Sequence, residues 1–228
     1  AIELKEQPQS HYWAALAFEQ IHEWRAAQDH LLRALQLEPG TSMTDEFKGE
    51  LHEAMGRVYL RSGRADKAIK ELKKGMRLQQ KDVQASLLLG EALYERGQYQ
   101  EAMAAMSHAN ILASQDLHAH LVHARIAEAL EEDQEALSSY QRAVEHAGGN
   151  KVTTSQLVEA LLGAARLALR LEHIKLASEL LEQAQSKLSQ SSLGASFHVL
   201  RALLARERGE MPVAARAYEQ ALVQDPAH

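Results

Sequence analysis

The chain is 228 residues long, 46% apolar and 25% charged, with a formal net charge of −6 and no cysteine. That composition fits a globular chain with a substantial core, and the lack of cysteine excludes disulfides, thiol nucleophiles and thiolate metal sites. Net negative charge without a block of Lys or Arg argues against nucleic acid as a partner; no apolar run reaches the ~20 residues of a membrane-spanning helix, so no direct insertion is expected of this segment.

Aromatic residues are scarce, only four prolines punctuate the chain, and no stretch alternates β-branched with polar residues, which predicts an all-α fold. In chain order, Ala1-Ile2-Glu3-Leu4-Lys5 resembles the closing turns of a helix such as Ala34-Leu35-Gln36-Leu37-Glu38, so residues 1–7 are expected to be the tail of a preceding repeat. Six blocks follow, at 8–41, 49–82, 83–116, 117–150, 158–191 and 195–228. Their eighth positions hold Ala15, Gly56, Gly90, Ala124, Ala165 and Ala202, and their twentieth Ala27, Ala68, Ala102, Ala136, Ala177 and Ala214. The twenty-seventh hold Ala34, Gly75, Ala109, Ala143, Ala184 and Ala221. At 100° per residue, positions 4, 8 and 11 share one helix face, as do 20, 24 and 27. Each block therefore reads as two helices brought close by small residues, with larger ones such as Leu72, Met106 and Tyr140 at position 24 filling between them.

Gly63, Gly97 and Gly209 mark turns between the paired helices, and Pro39 and Pro226 end the second helices of the outer blocks. The insertions 42–48 and 151–157 are expected to lengthen the first helices of the second and fifth blocks, with Thr153 and Gln156 forming a capping box. The last block stops without a covering helix, so the chain is expected to be a fragment of a longer tandem array.

The pattern resembles the tetratricopeptide repeat (TPR), whose consensus has a small residue at position 8, Ala at 20, an aromatic at 24, Ala at 27 and Pro at 32. Two features depart from it: Trp never stands at position 4, and Pro at 32 is kept only in the first and last blocks. The resemblance spans essentially the whole chain. It implies an all-α, right-handed superhelical solenoid of six helix-turn-helix repeats, residues 1–228 forming one array. It also implies that positions 2, 5, 9, 12 and 13 of each first helix line a concave groove. The residues there, as partner-binding candidates, are Tyr12, Leu16, Arg57, Arg61, Glu91, Tyr94, Glu95, Arg125, Arg166, Arg170, Leu203 and Arg206. Two roles stay open for the arginines: gripping a partner's acidic groups, or neutralising neighbouring glutamates, as in Arg57–Glu91–Arg125. The Lys at position 5 and Asn at position 9 with which chaperone adaptors of the family grip a terminal carboxylate are absent.

Little points to chemistry. His120 and His123 share a helix face that His118 does not, and His11, His52, His120 and His198 recur at position 4, where packing explains them. Equivalent positions in successive repeats lie ~10 Å apart, too far to share one metal ion. No Gly-x-Ser-x-Gly elbow surrounds Ser138, Ser139 or Ser189–Ser192, and Gly148-Gly149 reads as a turn rather than a phosphate loop. No catalytic, cofactor or metal residue is therefore assigned, and the chain is read as a non-enzymatic scaffold for a protein partner. Two alternatives accompany that reading. One is the periplasmic TPR region of a bacterial exopolysaccharide exporter, recruiting a modifying enzyme or guiding the polysaccharide. The other is a self-associating oligomerisation module. Localisation stays open between periplasm and cytoplasm, since the first residues carry no targeting signal.

Overall fold

The computed structural model describes residues 7–37, 43–79, 83–108, 116–148, 153–187 and 194–225. Ala109, Pro39, Pro226, the Ser189–Ser192 cluster, Gly149 and residues 1–6 of the expected tail lie outside these. The described residues form twelve α-helices and no strand: α1 Pro8–Gln20, α2 Trp24–Gln36, α3 Asp45–Arg61, α4 Ala65–Leu78, α5 Val83–Glu95 and α6 Tyr99–His108, then α7 Leu117–Ala129, α8 Asp133–Glu145, α9 Thr154–Arg170, α10 Ile174–Lys187, α11 Ala195–Glu207 and α12 Met211–Gln224. A short 3-10 turn, His146–Gly148, follows α8. The chain divides into two compact units, Ala1–Ala113 and Ser114–His228, with three helical hairpins in each.

Small residues set how closely each hairpin closes. In the first unit Ala15, Ala27, Ala34 and Ala68 are at most 1% exposed. A β-carbon added to Gly56 would lie 2.5 Å from Leu72 Cγ, and one on Gly90 would lie 2.7 Å from Met106 Sδ. Positions 8 and 24 thus face each other, and a methyl group at Gly56 or Gly90 would require Leu72 or Met106 to shift. Leu31, Leu72 and Met106 are fully buried as a result, and burying one such side chain contributes about 2 kcal/mol. The second unit repeats the arrangement with Ala124, Ala136, Ala143, Ala165, Ala177, Ala184 and Ala202, each 0% exposed. It adds a close contact between successive hairpins: a β-carbon on Gly163 of α9 would meet Tyr140 Cζ of α8 at 2.6 Å.

The six hairpin turns share one backbone solution. The fifteenth position of every block has positive φ: Gly63, Gly97 and Gly209 at 71–76°, and His22, Glu131 and Glu172 at 60–61°. In each turn the following residue donates its N–H to the carbonyl five residues back, as in Arg64 N to Tyr59 O (2.8 Å) and Glu132 N to Ala127 O (2.9 Å). This is the Schellman closure, which satisfies carbonyls left open at a helix end. Glycine meets its conformational demand without strain, whereas His22, Glu131 and Glu172 adopt it despite their β-carbons.

α3 and α9 have 17 residues, against 13 for α1, α5, α7 and α11. The four extra residues stand at the N-terminal end and amount to about one helical turn, where seven inserted residues suggested two. Threonine caps decide the start: Thr44 Oγ1 accepts from Phe47 N and Thr153 Oγ1 from Gln156 N, both at 3.2 Å. Gln156 Oε1 in turn accepts from Thr153 N, completing the capping box.

Candidate partner-binding site

The first helices of each unit carry the residues that the repeat register assigns to the groove. In the first unit these belong to α1, α3 and α5. Arg57 of α3 is the anchor: Nε and Nη2 bond the two oxygens of Glu19 on α1 at 2.6 and 3.1 Å, and Nη1 bonds Glu53 at 2.8 Å. These side chains are only 14–23% exposed. Burial disfavours the charge of Arg57, but the hydrogen bond and charge of Glu19, with Glu53 behind them, outweigh it and raise its pKa. Tyr12 is half-buried and edge-on to Phe47, with ring centroids 5.6 Å apart. Burial and the nearby Glu50 carboxylate raise its hydroxyl pKa. At the other end of this face Tyr94 packs on Tyr99 at 5.6 Å. Glu95 is exposed, its pKa raised by burial and by Glu91 and partly offset by Arg61. Leu16 is half-buried.

In the second unit the face belongs to α7, α9 and α11. Arg125 Nε donates to Glu159 at 2.7 Å, Arg166 Nη2 to Glu128 at 2.7 Å, and Arg170 to Asp133. Tyr140 donates its hydroxyl to the same Glu128 at 3.2 Å, and burial followed by the Glu128 charge strongly raises its pKa. Arg206 bonds its neighbour Glu207 at 3.1 Å, and Leu203 is half-buried. The arginine heads are thus held by carboxylates, of which the sequence pattern singled out neither Glu19 nor Glu128 nor Glu159. A register rule was nevertheless present: Arg57–Glu19 and Arg166–Glu128 both join position 9 of one repeat to position 12 of the repeat before, 38 residues apart.

The histidines are structural neighbours of one another and of hydroxyl or carboxylate groups. His11 and His30 share an Nδ1–Nδ1 hydrogen bond of 2.9 Å, His52 bonds Glu71 at 2.8 Å, and buried His123 bonds Ser139 at 2.8 Å. Among the described residues no three His, Asp or Glu side chains are placed to hold a metal ion, and no helix is long and apolar enough to cross a membrane.

Paired helices with small residues at positions 8, 20 and 27, closed by a shared turn and stacked repeat on repeat, define a TPR-type helical solenoid. The chain belongs to the tetratricopeptide repeat family, which it matches over residues 53–116 and 162–228, more than half its length. Comparison with curated protein sequences returns no match. Among solved structures, PilF of Pseudomonas aeruginosa is similar in fold, with 17% identity and a TM-score of 0.75 over 97% of this chain and 93% of that one. PilW, a widely conserved type IV pilus biogenesis factor, is 16% identical with a TM-score of 0.73, over 97% and 94%. YrrB, a TPR protein with an unusual peptide-binding site, is 19% identical with a TM-score of 0.62, over 91% and 94%. At these identities the likeness is one of fold. TPR proteins in general mediate protein–protein interactions and are non-catalytic.

Proposed function

We propose that the chain is a non-catalytic scaffold that recruits a protein partner through the first-helix faces of its two units. One observation carries this reading. Half-exposed Tyr12, Leu16, Tyr94 and Leu203 are interleaved with charged side chains already fixed by neighbouring groups, as Arg57 is by Glu19 and Glu53. Tyr and Arg are the residue types that most often dominate protein interfaces, and side chains ordered beforehand lose less entropy on binding. Because Arg57 is already taken by two carboxylates, its role is to hold the face in shape, and the acidic surplus around it favours basic groups on a partner. That YrrB, similar in fold, has a peptide-binding site is in keeping with a protein-binding role. The exporter setting has sequence resemblance alone behind it.

A photo-reactive benzoylphenylalanine placed at Tyr12, Tyr94 or Leu203 in the source cell tests the proposal, with Lys70 and Lys175 on exposed second-helix surfaces as controls. The expected result is a discrete protein adduct from the face positions and none from the controls. Equal capture at all five positions, or polymer in place of protein, overturns it.

A further inference from the structure

Position 7 of the first helix is a core position: Met55, Leu89, His123 and Ala164, in α3, α5, α7 and α9, are 1%, 5%, 2% and 0% exposed. In α1 the position is half-buried Ala14, and the sixth block departs furthest. Its seventh position is Arg201, which is exposed on α11. A cleft of about 560 Å3 lies beside it, lined by Arg201 and His198 of α11, Arg216, Glu219 and Gln220 of α12, and Gln185 of α10. An adjoining recess of about 260 Å3 shares Arg201 and adds Arg208, with Glu182 and Glu210 on its walls. Met55 and Leu89 stand buried at the same position of α3 and α5, so the repeat itself does not require an arginine there.

The charges in the cleft differ from those on the first-helix face. Arg125, Arg166 and Arg170 each have a carboxylate partner. Among the described residues Arg201, Arg208 and Arg216 have none within ion-pair distance. Of the carboxylates nearby, Glu182 accepts instead from Ser178 Oγ at 3.1 Å. Burial and Arg201 both push the pKa of His198 down, so its ring is neutral at pH 7 and adds no charge. Two guanidinium forks, Arg201 and Arg216, line the larger cleft with their donors unspent, a geometry suited to carboxylates.

We propose that this cleft between α10 and α12, floored by α11, binds an acidic segment of a protein partner, with Asp or Glu carboxylates bonded by Arg201 and Arg216. The proposal rests on the reading of the chain as a protein scaffold but uses a different surface. A peptide fits better than a uniformly charged polyanion, because Glu219, Glu210 and Glu182 would repel continuous negative charge while accepting a peptide's donors. Val223 on the larger cleft and Val213 on the recess, both exposed, supply contacts for apolar side chains.

The test is selection of a random-peptide phage library on the purified chain, followed by affinity measurement of the selected peptides. Selected peptides are expected to carry Asp or Glu and to bind Arg201→Met and Arg216→Gln variants about tenfold more weakly or worse. Lys70→Ala, on an exposed second-helix surface, should leave their binding unchanged, and Arg201→Lys should retain part of it. Arg201→Met restores the residue type of α3, so its melting temperature should not fall, which separates lost binding from lost folding. Peptides without acidic residues, equal binding to Arg201→Met, or displacement by alginate at lower concentration than by free acidic peptide would each overturn the proposal. Cross-linking at Tyr94 reports on the first-helix face independently, so one site can fail while the other stands.

Discussion

Within residues 1–113 one arginine, Arg57, serves two carboxylates in a half-buried cluster, and Glu50, Glu91 and Glu95 leave the surrounding face acidic. Within residues 114–228 Arg125, Arg166 and Arg170 pair with Glu159, Glu128 and Asp133, and the three arginines are 39–54% exposed. Arg57–Glu19 and Arg166–Glu128 use the same register positions, so between these two pairs the difference lies in burial rather than in pattern. A half-buried pair fixes one helix against another, because losing either partner strands a charge away from water. An exposed pair contributes little stability and mainly sets surface charge. The same repeat thus uses position 9 as a structural clamp in one unit and as surface decoration in the other.

The largest effect is expected from the contact between hairpins that the second unit adds. Gly163→Leu should cost about 3 kcal/mol by forcing Tyr140 out of its site, read as a shift in urea midpoint, with Tyr140→Ala in the same chain recovering part of the loss. Next, Arg57→Ala should cost about 2 kcal/mol, since Glu19 and Glu53 are left close together and partly buried. Arg166→Ala should cost less than about 1 kcal/mol. Equal losses in the two would erase the distinction between clamp and decoration.

The smallest effect is a difference in acid sensitivity. Burial holds the pKa of His123 below the ordinary histidine value, so the unfolded state takes up a proton first and stability falls as pH drops below about 6.5. In the first unit, the hydrogen bond from His52, followed by that from Lys74, lowers the pKa of Glu71 below its ordinary 4.5. Its contribution is therefore complete above pH 4.5 and is lost only as pH falls through the depressed value. Glu95 acts in the opposite sense, because its raised pKa makes protonation favourable to the folded state. Hydrogen-exchange protection factors, which correct for the intrinsic slowing of exchange in acid, should thus fall between pH 7 and pH 5 in α7 and α8 while those of α3 and α4 hold. A uniform fall in both units would break the comparison.

The fold was legible because steric exclusion leaves a mark in composition: Ala27, Ala68 and Ala102 announce a close helix approach wherever they recur. Gly163 left no such mark, since position 6 holds Ala54, Leu88 and Val122 in other repeats and is glycine only where Tyr140 intrudes. The candidate face was legible as a set of positions but not as a network. Arg57 and Glu19 are joined by geometry across two helices, and nothing local in the chain links them. The longer helices were readable from the insertions, and the start of α9 from the Thr153–Gln156 capping box; the matching cap at Thr44, which ends the α3 extension after one turn, carries no such pair.

The fifteenth position of each repeat carries a consequence for how the array comes apart. Backbone at φ near +60° disfavours residues with a β-carbon by roughly 1–2 kcal/mol relative to glycine. Hairpins closed by His22, Glu131 and Glu172 therefore begin with a handicap that those closed by Gly63, Gly97 and Gly209 lack. Where each repeat leans chiefly on its neighbours, local differences of that size grade the order in which segments open. A chain made of near-identical repeats is in this way given distinguishable weak points at its turns.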